Sequence, residues 1–158
     1  MSLPENQDFM RLVAAEITAV KAFVALLTEE TGVLRANDIS ALERVTAAKE
    51  KLAGELEALG KKRGYFFTAL GILQNAAAMD SWLATQPPGF AEAWRELMRL
   101  AETAKDLNLA NGQCIALLSR DTRVRLAVIT GSEESTYTPK GRAASSPSST
   151  GFRIRDNV

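Results

Sequence analysis

Apolar residues recur at alternating steps of three and four along most of the first 130 positions. That spacing constrains this chain more than any other feature. In the first stretch it runs through Met10, Val13, Ile17, Val20, Val24, Leu27, Thr31 and Leu34. Such a-and-d stepping keeps one face of a helix turned toward a partner helix. Phe9, Leu12 and Phe23 widen the seam beyond a strict two-helix contact, while Glu16, Lys21, Glu29, Glu30 and Arg35 fall off it. "RANDIS" then reads as one helix ending and another starting, with Asn37, Asp38 or Ser40 able to offer a cap oxygen.

The second stretch repeats the stepping through Leu42, Val45, Lys49, Leu52, Leu56, Leu59, Arg63, Phe66, Leu70 and Leu73, which predicts a helix from Ile39 to Gln74. Lys49 and Arg63 sit on the seam itself. Snorkelling is the simpler account: their apolar stems lie along the interface and their charges reach water. The alternative is pairing with an acid such as Glu16 or Glu30 across the interface, which would set register. A short helical piece over Asp80–Thr85 follows, with Trp82 and Leu83 as a packed cap on the bundle end, and Pro87-Pro88-Gly89 as a stop. The last helix is expected from Phe90 to Ile129, on the seam Leu97, Leu100, Ala104, Leu107, Asn111, Cys114 and Leu118, with Gly131 as its C-terminal stop.

Asn111-Gly112 lies inside that helix. Asn-Gly is a strong hairpin signal, but strand alternation is missing on both sides and the helical phase continues through it. The helix is therefore read as continuous. A buried Asn on the seam can fix register, and Gly112 either admits a close backbone or marks a kink.

Composition excludes several function classes. The sequence holds no histidine and a single cysteine, Cys114, and its basic and acidic residues balance at 19 each. Without histidine there is no Ser–His or Cys–His nucleophile. No glycine-rich phosphate loop is present, and the scattered carboxylates form no metal pattern. The reading is a non-enzyme without cofactor or metal. Charge balance argues against nucleic acid, and no apolar run reaches the ~18 residues of a membrane span. "MSLPENQDFM" does not read as a secretory signal, and the lone cysteine fits the cytoplasm. From Ser132 the composition turns to Ser, Thr, Gly and Pro, predicting a flexible tail over 132–158 beyond a helical domain over 1–131. Tyr137, Phe152 and Ile154 are its apolar exceptions.

Taken in order, these patterns resemble the FlgN family of flagellar export chaperones. The resemblance rests on Asn108, Asn111 and Gly112 as an Asn-x-x-Asn-Gly stretch, then Thr122, Arg123 and Leu126, then Tyr137 and Gly141. Upstream, Lys49, Leu52, Leu56, Leu59 and Arg63 match, as does Trp82-Leu83. Thr138-Pro139-Lys140 departs from the family's usual form. Three long helices and one short one joined by short turns should form an all-α antiparallel bundle or elongated coiled coil. The resemblance implies a cytoplasmic chaperone for hook–filament junction proteins, of the hook-associated protein 1 and 3 type. Such a chaperone holds their C-terminal helices from premature assembly and delivers them to the flagellar type III export apparatus. It further implies cargo binding by the C-terminal part. The candidates are Asn108, Asn111, Gly112, Ile115, Leu118, Thr122, Arg123, Leu126, Ile129, Tyr137 and Gly141. The chain would be a monomer or weak homo-oligomer. The competing reading is a homo-oligomeric coiled-coil adaptor without an export role.

Overall fold

The computed structural model describes residues 3–131, with side-chain surroundings from residue 7 onward. Tyr137, Gly141 and the rest of the expected tail lie outside the described residues. Four helices follow one another: α1 (Leu3–Ala36), α2 (Ile39–Ala69), α3 (Ala76–Leu83) and α4 (Pro88–Thr130). No strand occurs among the described residues. The fold is all-α, as the periodicity implied.

α1 is the central helix and packs along both α2 and α4. Contacts fix the directions. Phe9 meets Phe90, and Thr31 meets Asn111, so α1 and α4 run parallel. Glu16 meets Arg63 and Glu30 meets Lys49, so α2 runs the other way. The result is an up-down-up bundle in which only successive long helices are antiparallel.

Local chemistry explains each boundary. Asn37 takes φ 52° after α1, a left-handed conformation that Asn tolerates. Asp38 then caps α2, its side chain accepting from the Ala41 N–H at 3.0 Å. α2 stops at Ala69, five residues before the expected Gln74. Gly71 adopts φ 68°, and the Ile72 N–H donates back to the Phe67 carbonyl at 3.0 Å, a Schellman closure. Apolar spacing continues through Leu70 and Leu73 and hides this stop; Leu73 is exposed. The short helix also starts earlier than Asp80, because Asn75 caps it by accepting from Ala78 N at 2.9 Å. Pro88 opens α4 at a position where a missing N–H costs nothing, so Pro87-Pro88-Gly89 is a helix start as well as a stop. Gly131, at φ 63°, ends α4 as expected.

The core has an aromatic end. Fully buried Phe9 stacks on Phe90 with centroids 5.0 Å apart and meets Trp82 edge-on at 4.9 Å. Phe67 joins from α2 and contacts Trp82 and Trp94. Trp82 and buried Leu83 thus close the bundle end, the role expected of them. From there the seam continues through Val13, Val20 and Leu27 of α1 against Leu97, Leu100 and Ala104 of α4.

Candidate functional site

The far end of the bundle is polar inside. Asn111 is buried, and the helix passes through it without a break. Its Nδ2 donates to the Leu27 carbonyl at 2.9 Å and to Glu30 Oε2 at 2.8 Å. The Thr31 hydroxyl lies 2.8 Å from Asn111 Oδ1 and 3.0 Å from the Leu27 carbonyl, so its one proton serves one of them at a time. Glu30 is wholly buried and receives Lys49 Nζ at 2.8 Å on its other oxygen. Lys49 also reaches Asn108 Oδ1 at 3.3 Å. One carboxylate is therefore held by donors from α2 and α4 at once. A buried charge persists only when its lone pairs are met in this way.

A second tie lies nearer the aromatic end. Glu16 is buried, and its Oε1 sits 3.2 Å from Arg63 Nε without hydrogen-bond alignment. Burial raises the Glu16 carboxyl above its ordinary pKa, against the opposing pull of the Arg63 charge. The Arg63 guanidinium lies 5.2 Å from the centre of the Trp94 ring, which brings α4 into the same contact. Snorkelling alone thus does not describe Lys49 or Arg63: both are paired, and with the two acids named as alternatives. Glu16 and Glu30 are inside the bundle rather than off the seam. They escape a reading by hydropathy because a carboxylate carries no apolar signal until its partner is known.

α4 outruns the bundle. It is 43 residues long, about 65 Å at 1.5 Å per residue. Thr31 is level with Asn111 and α1 ends at Ala36, so the last ~14 residues of α4 extend some 20 Å past α1. Ile115, Leu118, Thr122, Leu126 and Ile129 fall within an arc of about 80° at 100° per residue, in phase with Asn111. Ile115 and Leu118 are half-buried at the junction. Leu126 and Ile129 are 58% and 81% exposed. Arg123 and Arg125 border the arc on either side. Arg125 pairs with Asp121 at 2.9 Å.

The candidate residues therefore divide. Asn111 faces inward and presents no free amide at the surface, whereas Asn108 is exposed and joins the network only through its Oδ1, which accepts from Lys49 Nζ. Gly112 is exposed with open space where a Cβ would stand, so no backbone approaches it closely. Thr122 is exposed and donates to the Leu118 carbonyl of its own helix. Ile115, Leu118, Thr122, Arg123, Leu126 and Ile129 share the projecting segment. Tyr137 and Gly141 lie outside the described residues. Leu117, Val124 and Val128 form a second exposed stripe on the other side of α4; their spacing of seven and four carries that signal in the sequence. Among the described residues no group of acids or cysteine could hold a metal, and no helix is long and apolar enough to cross a membrane.

Comparison with known proteins agrees with this architecture. The crystal structure of a flagella synthesis protein FlgN from Pseudomonas aeruginosa superposes with a TM-score of 0.63 at 22% identity, over 80% of this chain and 98% of that one. At that identity the likeness concerns the fold. No curated protein matches the sequence. The model of the FlgN protein family matches residues 1–145, which takes in the polar ties, the aromatic end and the whole of α4. On that match the chain belongs to the FlgN family and has a role in building the flagellum.

Proposed function

We propose that this chain is a cytoplasmic export chaperone for hook–filament junction proteins of the hook-associated protein 1 and 3 type. It would bind their C-terminal helical region, prevent premature assembly and deliver them to the flagellar type III export apparatus. Family membership supports the flagellar role. The observation that carries the chaperone reading is the projecting end of α4, where an apolar arc continues the bundle seam past the helices that cover it elsewhere. An amphipathic cargo helix laid on such an arc replaces the missing partner, a helix-on-groove mode of recognition. Ile115, Leu118, Thr122, Leu126 and Ile129 would face the cargo, with Arg123 at the border. Asn111 would act through register, because its bonds to Leu27, Glu30 and Thr31 of α1 fix how far α4 extends past that helix, and exposed Asn108 would stand beside the cargo surface. The work is protection by mass action, which needs no cofactor and no catalytic step.

The test is co-expression with a junction protein followed by gel filtration. Burying what remains exposed of Leu126 and Ile129 is worth about 2–4 kcal/mol. Leu126→Glu with Ile129→Glu should therefore weaken the complex about 30-fold or more, with the thermal melt of the free chain unchanged. Separate elution of wild-type chain and junction protein, with the junction protein equally soluble alone, refutes the proposal. Tight self-association that hides the same arc would favour the homo-oligomeric adaptor instead.

A further inference from the structure

We infer that the projecting end of α4 has a second docking face. Leu117, Val124 and Val128, on the side turned away from the bundle, take an acid-flanked amphipathic helix of another protein.

Helical phase sets this face. At 100° per residue the three side chains fall within about 40° of one another, centred about 140° from the arc of Ile115, Leu118, Leu126 and Ile129. Each is more than half exposed. α1 lies on the Asn111 side of α4, and Lys49 of α2 reaches Asn108, so neither neighbouring helix lies toward this line. Nearer the aromatic end the same line of α4 carries Asp106, Ala110 and Gln113, all exposed and none of them large and apolar. Large apolar side chains thus enter the outer line only where the helix leaves the bundle. Valine is also a weaker helix former than glutamine, lysine or arginine, so Val124 and Val128 serve the helix itself poorly.

Charge selects the occupant. Arg120 borders the face on one side and has no ion-pair partner among the described residues. On the other side Asp121 is engaged by Arg125 at 2.9 Å. Residues 115–131 hold three arginines against that one carboxylate. A partner helix with carboxylates flanking its apolar stripe supplies the missing charge. A second copy brings the same excess of arginine to the contact. Three side chains are also far fewer than the roughly 20–30 residues a side of a stable interface, which fits a transient contact.

The two faces can be filled together. Helices packed about 8–10 Å from α4 and about 140° apart around it have axes about 15–19 Å from each other, more than a helix diameter of about 10–12 Å. The end of α4 then bridges the occupant of its arc to a second protein.

The probe is a labelled three-heptad peptide with leucine at a and d and glutamate at e and g, whose like charges keep it from pairing with itself. Fluorescence anisotropy reads its binding to the full-length chain carrying Leu126→Gln with Ile129→Gln, which weakens the arc. Adding Leu117→Gln, Val124→Gln and Val128→Gln should weaken binding about tenfold or more. Glutamine keeps helix propensity at these exposed sites, so the fold is unaffected. Arg120→Glu should weaken binding about threefold to fivefold. The matched peptide with lysine at e and g should bind about tenfold less tightly, and Arg120→Glu should narrow that gap. Equal binding of the two peptides overturns the inference, as does binding that survives the triple glutamine substitution. So does undetectable binding of the glutamate peptide at about 1 mM. Self-association of the wild-type chain that the triple substitution abolishes would assign the face to a second copy instead. The arc is weakened throughout, so failure of a junction protein to bind it leaves this result untouched.

Discussion

Replacing Asn111 with leucine separates two views of a polar residue on an apolar seam. By sequence alone, Asn111→Leu fills a core position with a better core residue and should stabilise. The structure reverses that expectation. The amide supplies a donor to each of two buried acceptors, Glu30 Oε2 at 2.8 Å and the Leu27 carbonyl at 2.9 Å. The Leu27 carbonyl also has the Thr31 hydroxyl within reach, so its loss is small. Glu30 has no exposed surface, and its Oε2 would be left without a donor. A hydrogen bond to a charged group is worth about 1.5–3 kcal/mol, and the stranded acceptor adds a desolvation cost of similar size. Burying leucine returns about 1.5–3 kcal/mol, less whatever strain its branched end meets against the Glu30 carboxylate. The balance is a loss of roughly 1–3 kcal/mol. Urea unfolding followed by far-UV circular dichroism measures it directly, as a midpoint about 0.5–2 M lower at ordinary m-values. Removing the charge as well should reverse the sign. Asn111→Leu with Glu30→Leu and Lys49→Met replaces the whole network by apolar groups and should regain wild-type stability or exceed it. A single Asn111→Leu variant as stable as wild type would refute the account of a carboxylate that depends on this amide.

Further outcomes follow from other parts of the bundle. Gly112→Ala should stabilise by about 0.5–1 kcal/mol in thermal melts, because the site is helical, exposed and open around the new Cβ; a loss would reveal a close contact there. Phe9→Ala should cost about 3–5 kcal/mol in chemical unfolding, since the ring is fully buried and touches four other aromatic rings. The Glu16 carboxyl is raised in the folded state, so the folded chain holds that proton more tightly than the unfolded one. Its contribution is therefore full below the ordinary carboxylate pKa of about 4.3. It is lost as pH rises through the higher folded value. Glu16→Gln should remove that fall, so melting temperatures of variant and wild type should diverge in the variant's favour as pH rises across the window. Parallel profiles would show that burial does not govern the group.

Much of this molecule is legible in one dimension. The three long helices, their seams and the continuity of α4 through Asn111-Gly112 follow from apolar phase, which any helix carries along its own length. The Asp38 cap and the Gly131 stop are equally local, because a cap side chain bonds a backbone group within a few residues. The stop at Gly71 is local too. It is obscured because Leu70 and Leu73 keep helical spacing past the point where the backbone turns, and Gly71 alone marks it.

What tertiary structure decided is pairing and reach. The spacing leaves Glu30 and Glu16 off the seam and offers them only as alternative partners for Lys49 and Arg63; that they are buried is decided when Lys49, Arg63, Asn111 and Trp94 arrive from two other helices, since a buried charge is stable only through partners remote in sequence. The same holds for α4. Its distal arc has the residue pattern of a core face, and apolar spacing is identical whether or not a partner is present. Only the positions where α1 ends and Thr31 meets Asn111 determine that this face runs on uncovered.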